Sequence, residues 1–270
     1  MEGALLSETP MMPFLVREQT ISIIGAGSLG TAVIDALYSS GHRKIIATRR
    51  DEEALKSLTQ KYSGIETTTD NKQAAEHSDI VVLAVKPRLI EEVATEISVY
   101  SKDKLVVSLA AKKSIDILQG ALNYSRVARV MAGIFVKDEV AAYTLGKNCV
   151  KEDEEVIRYI FGTNAREVEE EHLAGRTWVA CDTGIMAREV GAKISALVDS
   201  GMNEKDAAMF YSGTLRALAK EIESGTSCGE IYDSVAGPGS FTDDLYKLMV
   251  QEGHFDLLVR LVDKTIKKLK

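Results

Sequence analysis

The 270-residue sequence predicts an α/β domain built on a doubly wound parallel sheet, followed by an all-helical domain. Three observations carry that expectation. Short β-branched runs alternate with amphipathic segments through residues 20–172. A glycine-rich turn, Gly25-Ala26-Gly27-Ser28-Leu29-Gly30, follows the first of those runs. Beyond about residue 172, strand signals give way to long helical periods.

The elements follow in order. Ile21-Ser22-Ile23-Ile24 reads as a strand, residues 28–40 as a helix closing near Gly41, Lys44–Thr48 as a second strand and residues 51–62 as a second helix. After Glu66-Thr67-Thr68-Thr69, a short helix around Lys72–Glu76 leads into Asp79–Val85, whose run Ile80–Val85 is apolar without alternation, as a strand covered on both faces requires. Residues 88–99 read as a helix and Leu105–Leu109 as a strand. Arg126–Met131 and Val140–Leu145 read as two further strands, and Glu152–Phe161 as a helix. In the second half a long helix spans about Thr177–Asp199, with Val179, Met186, Val190, Ile194 and Leu197 along one side. Asn203 caps the next helix, with Asp206 near capping-box spacing, and that helix runs to about Glu223. Two more follow at 241–251 and 255–268. The expected organisation is an arm at 1–19, a dinucleotide-binding domain at 20–172 and a helical domain at 173–270. In the arm, the apolar run Met11–Val16 is too short and wrongly flanked for a signal peptide, so the arm is expected to order only where it docks on the body.

Composition narrows the function. Lys and Arg number 33 against 40 Asp and Glu, a net charge of −7, where a duplex-binding protein carries a basic surplus. No stretch approaches the ~20 apolar residues of a membrane span. Cys149, Cys181 and Cys228 lie far apart and form neither a disulfide framework nor a CxxC pair, which fits a reducing, cytoplasmic location. His42, His77, His172 and His254 lack metal-ligand spacing, and neither a GxSxG elbow nor a P-loop occurs.

The chemistry is carried by Gly25–Gly30, a GxGxxG between a strand and a helix, which defines a Rossmann-type dinucleotide site. Gly25 permits the tight turn, Gly27 lets backbone approach a pyrophosphate, and Gly30 lets helix and strand pack closely. The amides from Ser28 onward then face the phosphates. Where an NAD enzyme places an acid at the second strand's tip, this chain has Thr48-Arg49-Arg50. Two guanidinium forks match a 2′-phosphate, so NADP is the expected cofactor; NAD remains possible, with Asp51 as the ribose ligand. Ala84-Val85-Lys86-Pro87 ends the central strand and should border the cofactor. Lys86 there is either a cofactor or substrate contact or simply solvated. In the helical half, Gly237-Pro238-Gly239-Ser240-Phe241-Thr242 is a turn that opens a helix. It reads either as free amides for a carboxylate or as a plain turn with Ser240 or Thr242 as N-cap.

These residues resemble the pyrroline-5-carboxylate reductase family over about residues 20–268. The resemblance rests on Gly25–Gly30, Ala84–Pro87, Arg129-Val130-Met131, Gly201 with Ala207-Ala208, and Val235–Thr242. It implies a dinucleotide-binding domain followed by a helical dimerisation domain, and reduction of the C=N bond of a cyclic imino acid with a nicotinamide cofactor. It further implies an active site completed by a second subunit, so a homodimer or higher homo-oligomer is expected. Gly237, Pro238, Gly239, Ser240 and Thr242 would hold the substrate carboxylate, with Thr242 or Ser240 donating to the ring nitrogen or carboxylate. Three departures fall on the substrate side. The family's Pro-Asn-Thr-Pro is Ala132-Gly133-Ile134-Phe135, its glycine-serine-rich helix opening is Thr177–Gly184, and its Gly-Gly-Thr-Thr is Gly239-Ser240-Phe241-Thr242. Another imine or keto acid as substrate, or a cofactor-binding relative without catalysis, are the competing readings. The helical half also carries more apolar stripes than its own few helices cover, which again points to a second copy.

Overall fold

A computed structural model describes residues 16–270, so most of the expected N-terminal arm lies outside the described residues. Its last part is docked. Val16 is buried in the core, Arg17 donates to the Ser40 carbonyl at 2.8 Å, and Lys44 pairs with Glu18 at 2.8 Å.

The strands are β1 (Ile21–Ile24), β2 (Ile45–Thr48), β3 (Glu66–Thr68), β4 (Ile80–Leu83), β5 (Leu105–Ser108), β6 (Arg126–Met131), β7 (Ala142–Leu145) and β8 (Arg166–Glu167). They form one sheet in the order β3-β2-β1-β4-β5-β6-β7-β8. The first six in sequence run parallel in the 3-2-1-4-5-6 order of a dinucleotide-binding sheet, with the switch point between β1 and β4. β1, β2, β4 and β5 are buried at every position, as strands covered on both faces must be.

The sheet is not parallel throughout. β7 pairs antiparallel with β6, because the ten residues 132–141 between them are too short for a crossover helix. β3 and β8 carry no apolar run, and the sequence pattern passed over both; each is specified by its neighbour's ladder.

The helices of this part are α1 (Ser28–Ser39), α2 (Glu52–Lys61), α3 (Asn71–Glu76), α4 (Ile90–Ile97), α5 (Ile115–Leu122) and α6 (Lys151–Phe161), with 3-10 turns at Pro87–Leu89 and Glu170–His172. Asp51, Asp70 and Ser114 cap α2, α3 and α5 through their side-chain oxygens. α5 was not expected from the pattern, although Ser114 before an apolar stripe marks its start.

The remaining helices are α7 (Leu173–Asp199), α8 (Glu204–Glu223), α9 (Cys228–Val235), α10 (Phe241–Gln251) and α11 (His254–Leu269). α7 begins four residues before the expected Thr177, because buried Leu173 and Ala174 anchor its first turn. Asn203 caps α8 as expected, accepting from the amides of Lys205 and Asp206. α9 was missed despite a capping box, in which Ser227 and Glu230 each accept from the other's backbone amide.

The described chain divides into two compact units within α7, one ending at Ala180 and taking in Leu269 and Lys270, the other Cys181–Lys268. The first has a layered apolar core on both sheet faces. In the second, Ala207 is the one buried residue.

Candidate cofactor site

The carboxyl ends of β1, β2 and β4 meet around a cleft of about 560 Å³. Gly25 leaves β1 with φ +97°, a left-handed conformation that an L side chain resists. A Cβ there would also lie 2.9 Å from the Val85 amide nitrogen. A Cβ on Gly30 would lie 2.4 Å from the Gly25 carbonyl oxygen, so α1 packs on the turn through bare backbone. At Gly27 a Cβ would meet nothing within 4 Å, and this residue lines the cleft. α1 has no side-chain cap and no acidic residue in its first turn. Its leading amides and its dipole are therefore left for an anion. This is the cradle that a dinucleotide's pyrophosphate requires.

Thr48 ties the second strand to the turn. Its carbonyl accepts from the amides of Gly25 and Ala26 at 3.1 and 2.7 Å, and its buried hydroxyl donates to Asn71 Oδ1 at 2.7 Å. Asn71 Nδ2 donates in turn to Glu96 Oε2 at 3.1 Å. Arg49 donates from Nη1 to the Ala26 carbonyl at 3.2 Å, and Arg50 lines the cleft beside it. Asp51, the alternative ribose ligand, also borders the cleft, but its Oδ1 accepts from Ala54 N at 3.1 Å as the cap of α2. In a chain of net charge −7, the cleft collects Arg49, Arg50, Lys86 and Arg88 against Asp51, Glu92 and Glu96. That is an anion-binding balance.

Of the residues expected at the cofactor, Gly25, Gly27, Thr48, Arg49, Arg50, Ala84, Val85 and Lys86 line this cleft together. Ala26 and Gly30 are buried behind it, Leu29 packs against the core, Ser28 is exposed at the first turn of α1, and Pro87 begins the 3-10 turn after β4. Asn71, Arg88, Glu92 and Glu96 were missed. The signal for Asn71 was its place one turn after β3, a strand too polar to read; Glu92 and Glu96 look like an ordinary solvated helix face.

The turn at Gly237–Thr242 lies in the second unit. Ser240 is the N-cap of α10, and its Oγ accepts from Asp243 N at 3.1 Å. The expected row of free amides is shorter than predicted. Ser240 N donates to the Gly237 carbonyl at 3.0 Å, and Gly239 N points at Asp243 Oδ2 at 3.4 Å. The hydrogen bond from Lys247 holds the Asp243 carboxyl below its ordinary range, so it stays ionised beside that amide. The amides of Phe241 and Thr242 remain at the first two helical positions, and the Phe241 ring is 96% exposed. Cys181 is exposed.

The fold and the cleft define a dinucleotide-binding protein of the Rossmann class. Residues 20–112 match the family described as NADP oxidoreductase, coenzyme F420-dependent. A pyrroline-5-carboxylate reductase of Methanosarcina acetivorans is 31% identical over 84% of this chain and 88% of its own length. One from Escherichia coli is 26% identical over 93% and 97%. The solved pyrroline carboxylate reductase of Plasmodium falciparum, with NADP bound, superposes with TM-score 0.80 at 18% identity, covering 94% of this chain and 98% of that one. The chain belongs to the pyrroline-5-carboxylate reductase family.

Proposed function

We propose that this chain reduces the C=N bond of 1-pyrroline-5-carboxylate to give proline, with NADPH as cofactor. The observation that carries the reading is the uncapped, glycine-built start of α1, facing a cleft whose β2 tip ends in Arg49-Arg50. Family membership supplies the substrate class. Bound NADPH supplies the hydride.

The chain's own residues then bind and orient. Amides from Ser28 onward take the pyrophosphate. Arg49 and Arg50 take the 2′-phosphate, which their guanidinium forks match, while Asp51 Oδ1 caps α2. Ala84, Val85, Lys86 and Pro87 border the dinucleotide at the end of β4. Gly237, Pro238 and Gly239 shape the substrate turn, whose Phe241 and Thr242 amides receive the substrate carboxylate, while the hydroxyls of Thr242 and Ser240 donate to that carboxylate or the ring nitrogen. The imine arrives protonated, so no strong general acid is required of the chain.

The assembly is a homodimer or higher homo-oligomer. Met209, Phe210, Leu215, Leu218 and Ile222 of α8 are exposed, as are Leu257, Leu258 and Val259 of α11. An 88-residue unit with one buried residue leaves its apolar surface in water, and a second copy of the same helices covers it. The working compartment is the cytoplasm, where Cys149, Cys181 and Cys228 stay reduced. No helix among the described residues is long and apolar enough to cross a membrane.

NADPH oxidation measured against a panel of cyclic imino acids, linear imines and keto acids tests the activity. Turnover confined to another substrate would replace the named one. Tight cofactor binding with no turnover on any would mean a non-catalytic relative.

A further inference from the structure

The β6–β7 connection, residues 132–141, leaves β6 at the carboxyl end of the sheet, where a parallel sheet places its ligands. With Arg49 and Arg50 at the tip of β2 holding the adenosine end, the β4-β5-β6 half of the crevice receives the other mononucleotide. This connection therefore borders the reacting half. It is pinned at one side, because Val136 is buried in the core and Lys137 pairs with Asp35 of α1 at 3.1 Å.

The other fastening is an ion pair in a notch. Arg176, in the first turn of α7, donates from Nη2 to Glu139 Oε2 at 2.5 Å and from Nε to the Val140 carbonyl at 2.7 Å. The two side chains are 12% and 21% exposed, so water screens the pair little. A guanidinium can grip a carboxylate and a backbone carbonyl at once; an ammonium would have one point of charge to share. The carboxylate, as Arg176 holds it, occupies the space that Gly133 leaves open. A Cβ on Gly133 would lie 2.1 Å from Glu139 Oε2, 2.5 Å from Oε1 and 2.6 Å from Cδ. Between Gly133 and buried Val136 stand Ile134 and Phe135, each 53% exposed, large apolar side chains just beyond the end of β6.

We propose that Glu139 and Arg176 are positioning residues: their ion pair, seated against Gly133, fixes the β6–β7 connection so that Ile134 and Phe135 form an apolar wall of the substrate pocket. The proposal rests on the reductase reading above. The carboxylate's role is mechanical. It lies against Arg176 and takes no proton from the imine.

Two measurements test it. The first is amide hydrogen exchange across residues 133–141 in Gly133→Ala, Glu139→Ala and Glu139→Gln. The two alanine variants should speed exchange in that segment by about ten-fold or more, leaving β1 and β4 as protected as in wild type. Glu139→Gln keeps an acceptor oxygen for Arg176 and should restore most of the protection. The second is steady-state kinetics, in which the alanine variants should raise KM for the imine by about five-fold or more while KM for NADPH holds. Unchanged exchange overturns the proposal. Faster exchange with an unmoved imine KM also overturns it, because the pair is then merely structural. Should wild type reduce no imine at all, the function proposed above falls by itself. Protection of amides 133–141 by bound NADPH then decides this inference, and its absence overturns it.

Discussion

Arg49 lies against Ala26: its Nη1 donates to the Ala26 carbonyl at 3.2 Å, which lays the end of β2 across the first residue inside the glycine turn. The guanidinium is thereby oriented before any cofactor arrives, and the entropy of fixing a long side chain is partly spent in the folded chain. With Arg50 beside it in the cleft, the pair is the proposed seat of the 2′-phosphate. The Arg49→Ala, Arg50→Ala double variant should weaken NADPH by about 1.5–3 kcal/mol per lost contact and leave NADH nearly unchanged. Fluorescence titration of both cofactors checks this, and equal wild-type affinities would remove the NADP assignment.

Two glycines of the turn, Gly27 and Gly30, predict different outcomes. Gly27→Ala places a methyl in open space beside the cleft, so thermal stability should hold while NADPH affinity falls. Gly30→Ala drives a methyl into the Gly25 carbonyl and should cost about 1–3 kcal/mol of stability as overpacking. Melting curves with and without NADPH separate the two. A Gly27 variant that binds NADPH as wild type does would mean that the pyrophosphate lies elsewhere.

His42 makes stability depend on pH. Its buried ring contacts the Tyr159 hydroxyl at 3.1 Å and the Lys44 carbonyl at 3.2 Å, and burial pushes its pKa below the ordinary value. The unfolded chain therefore takes up a proton near pH 6.5 that the folded chain resists. The stability contributed by the neutral ring is complete above that pH and is lost as pH falls through it toward the lower folded value. The slope is at most about 1.4 kcal/mol per pH unit. Urea midpoints between pH 7.5 and 5.5 should fall more steeply for wild type than for His42→Gln; parallel slopes would count against this.

The uncovered helices predict an assembly. Light scattering should give a dimer or larger species at micromolar concentration. Placing charges on the apolar face of α8, as Leu215→Asp with Leu218→Asp, should shift the protein to smaller species or to aggregates. A wild-type monomer would leave the second unit's apolar surface without an explanation.

Thr242, at the second position of α10, is the substrate-side test. Thr242→Ala should lower kcat/KM for the imino acid by about ten-fold or more, the loss of a ~1.5–3 kcal/mol contact to a charged group, while NADPH affinity barely moves. If Phe241→Thr instead creates a turnover that wild type lacks, the pocket is built for a different molecule.

What the sequence determined by itself is what neighbouring residues determine. The apolar runs of β1, β4 and β5, the glycine turn and the Asn203 cap are each set by residues within a few positions of one another, so periodicity and spacing exposed them. The cofactor cleft was legible for the same reason: its phosphate side is one continuous strand-turn-helix, and the strand tips fall where the sheet order puts them. Tertiary structure decided the rest. β3 and β8 are too polar to announce themselves and exist through their partners' ladders. β7 runs antiparallel because ten residues cannot carry a crossover. Asn71 meets Glu96 across 25 positions, and Glu139 meets Arg176 across 37 in the space that Gly133 leaves empty. Those contacts depend on which distant backbones the packed sheet brings together, and local residue pattern carries no record of that distance.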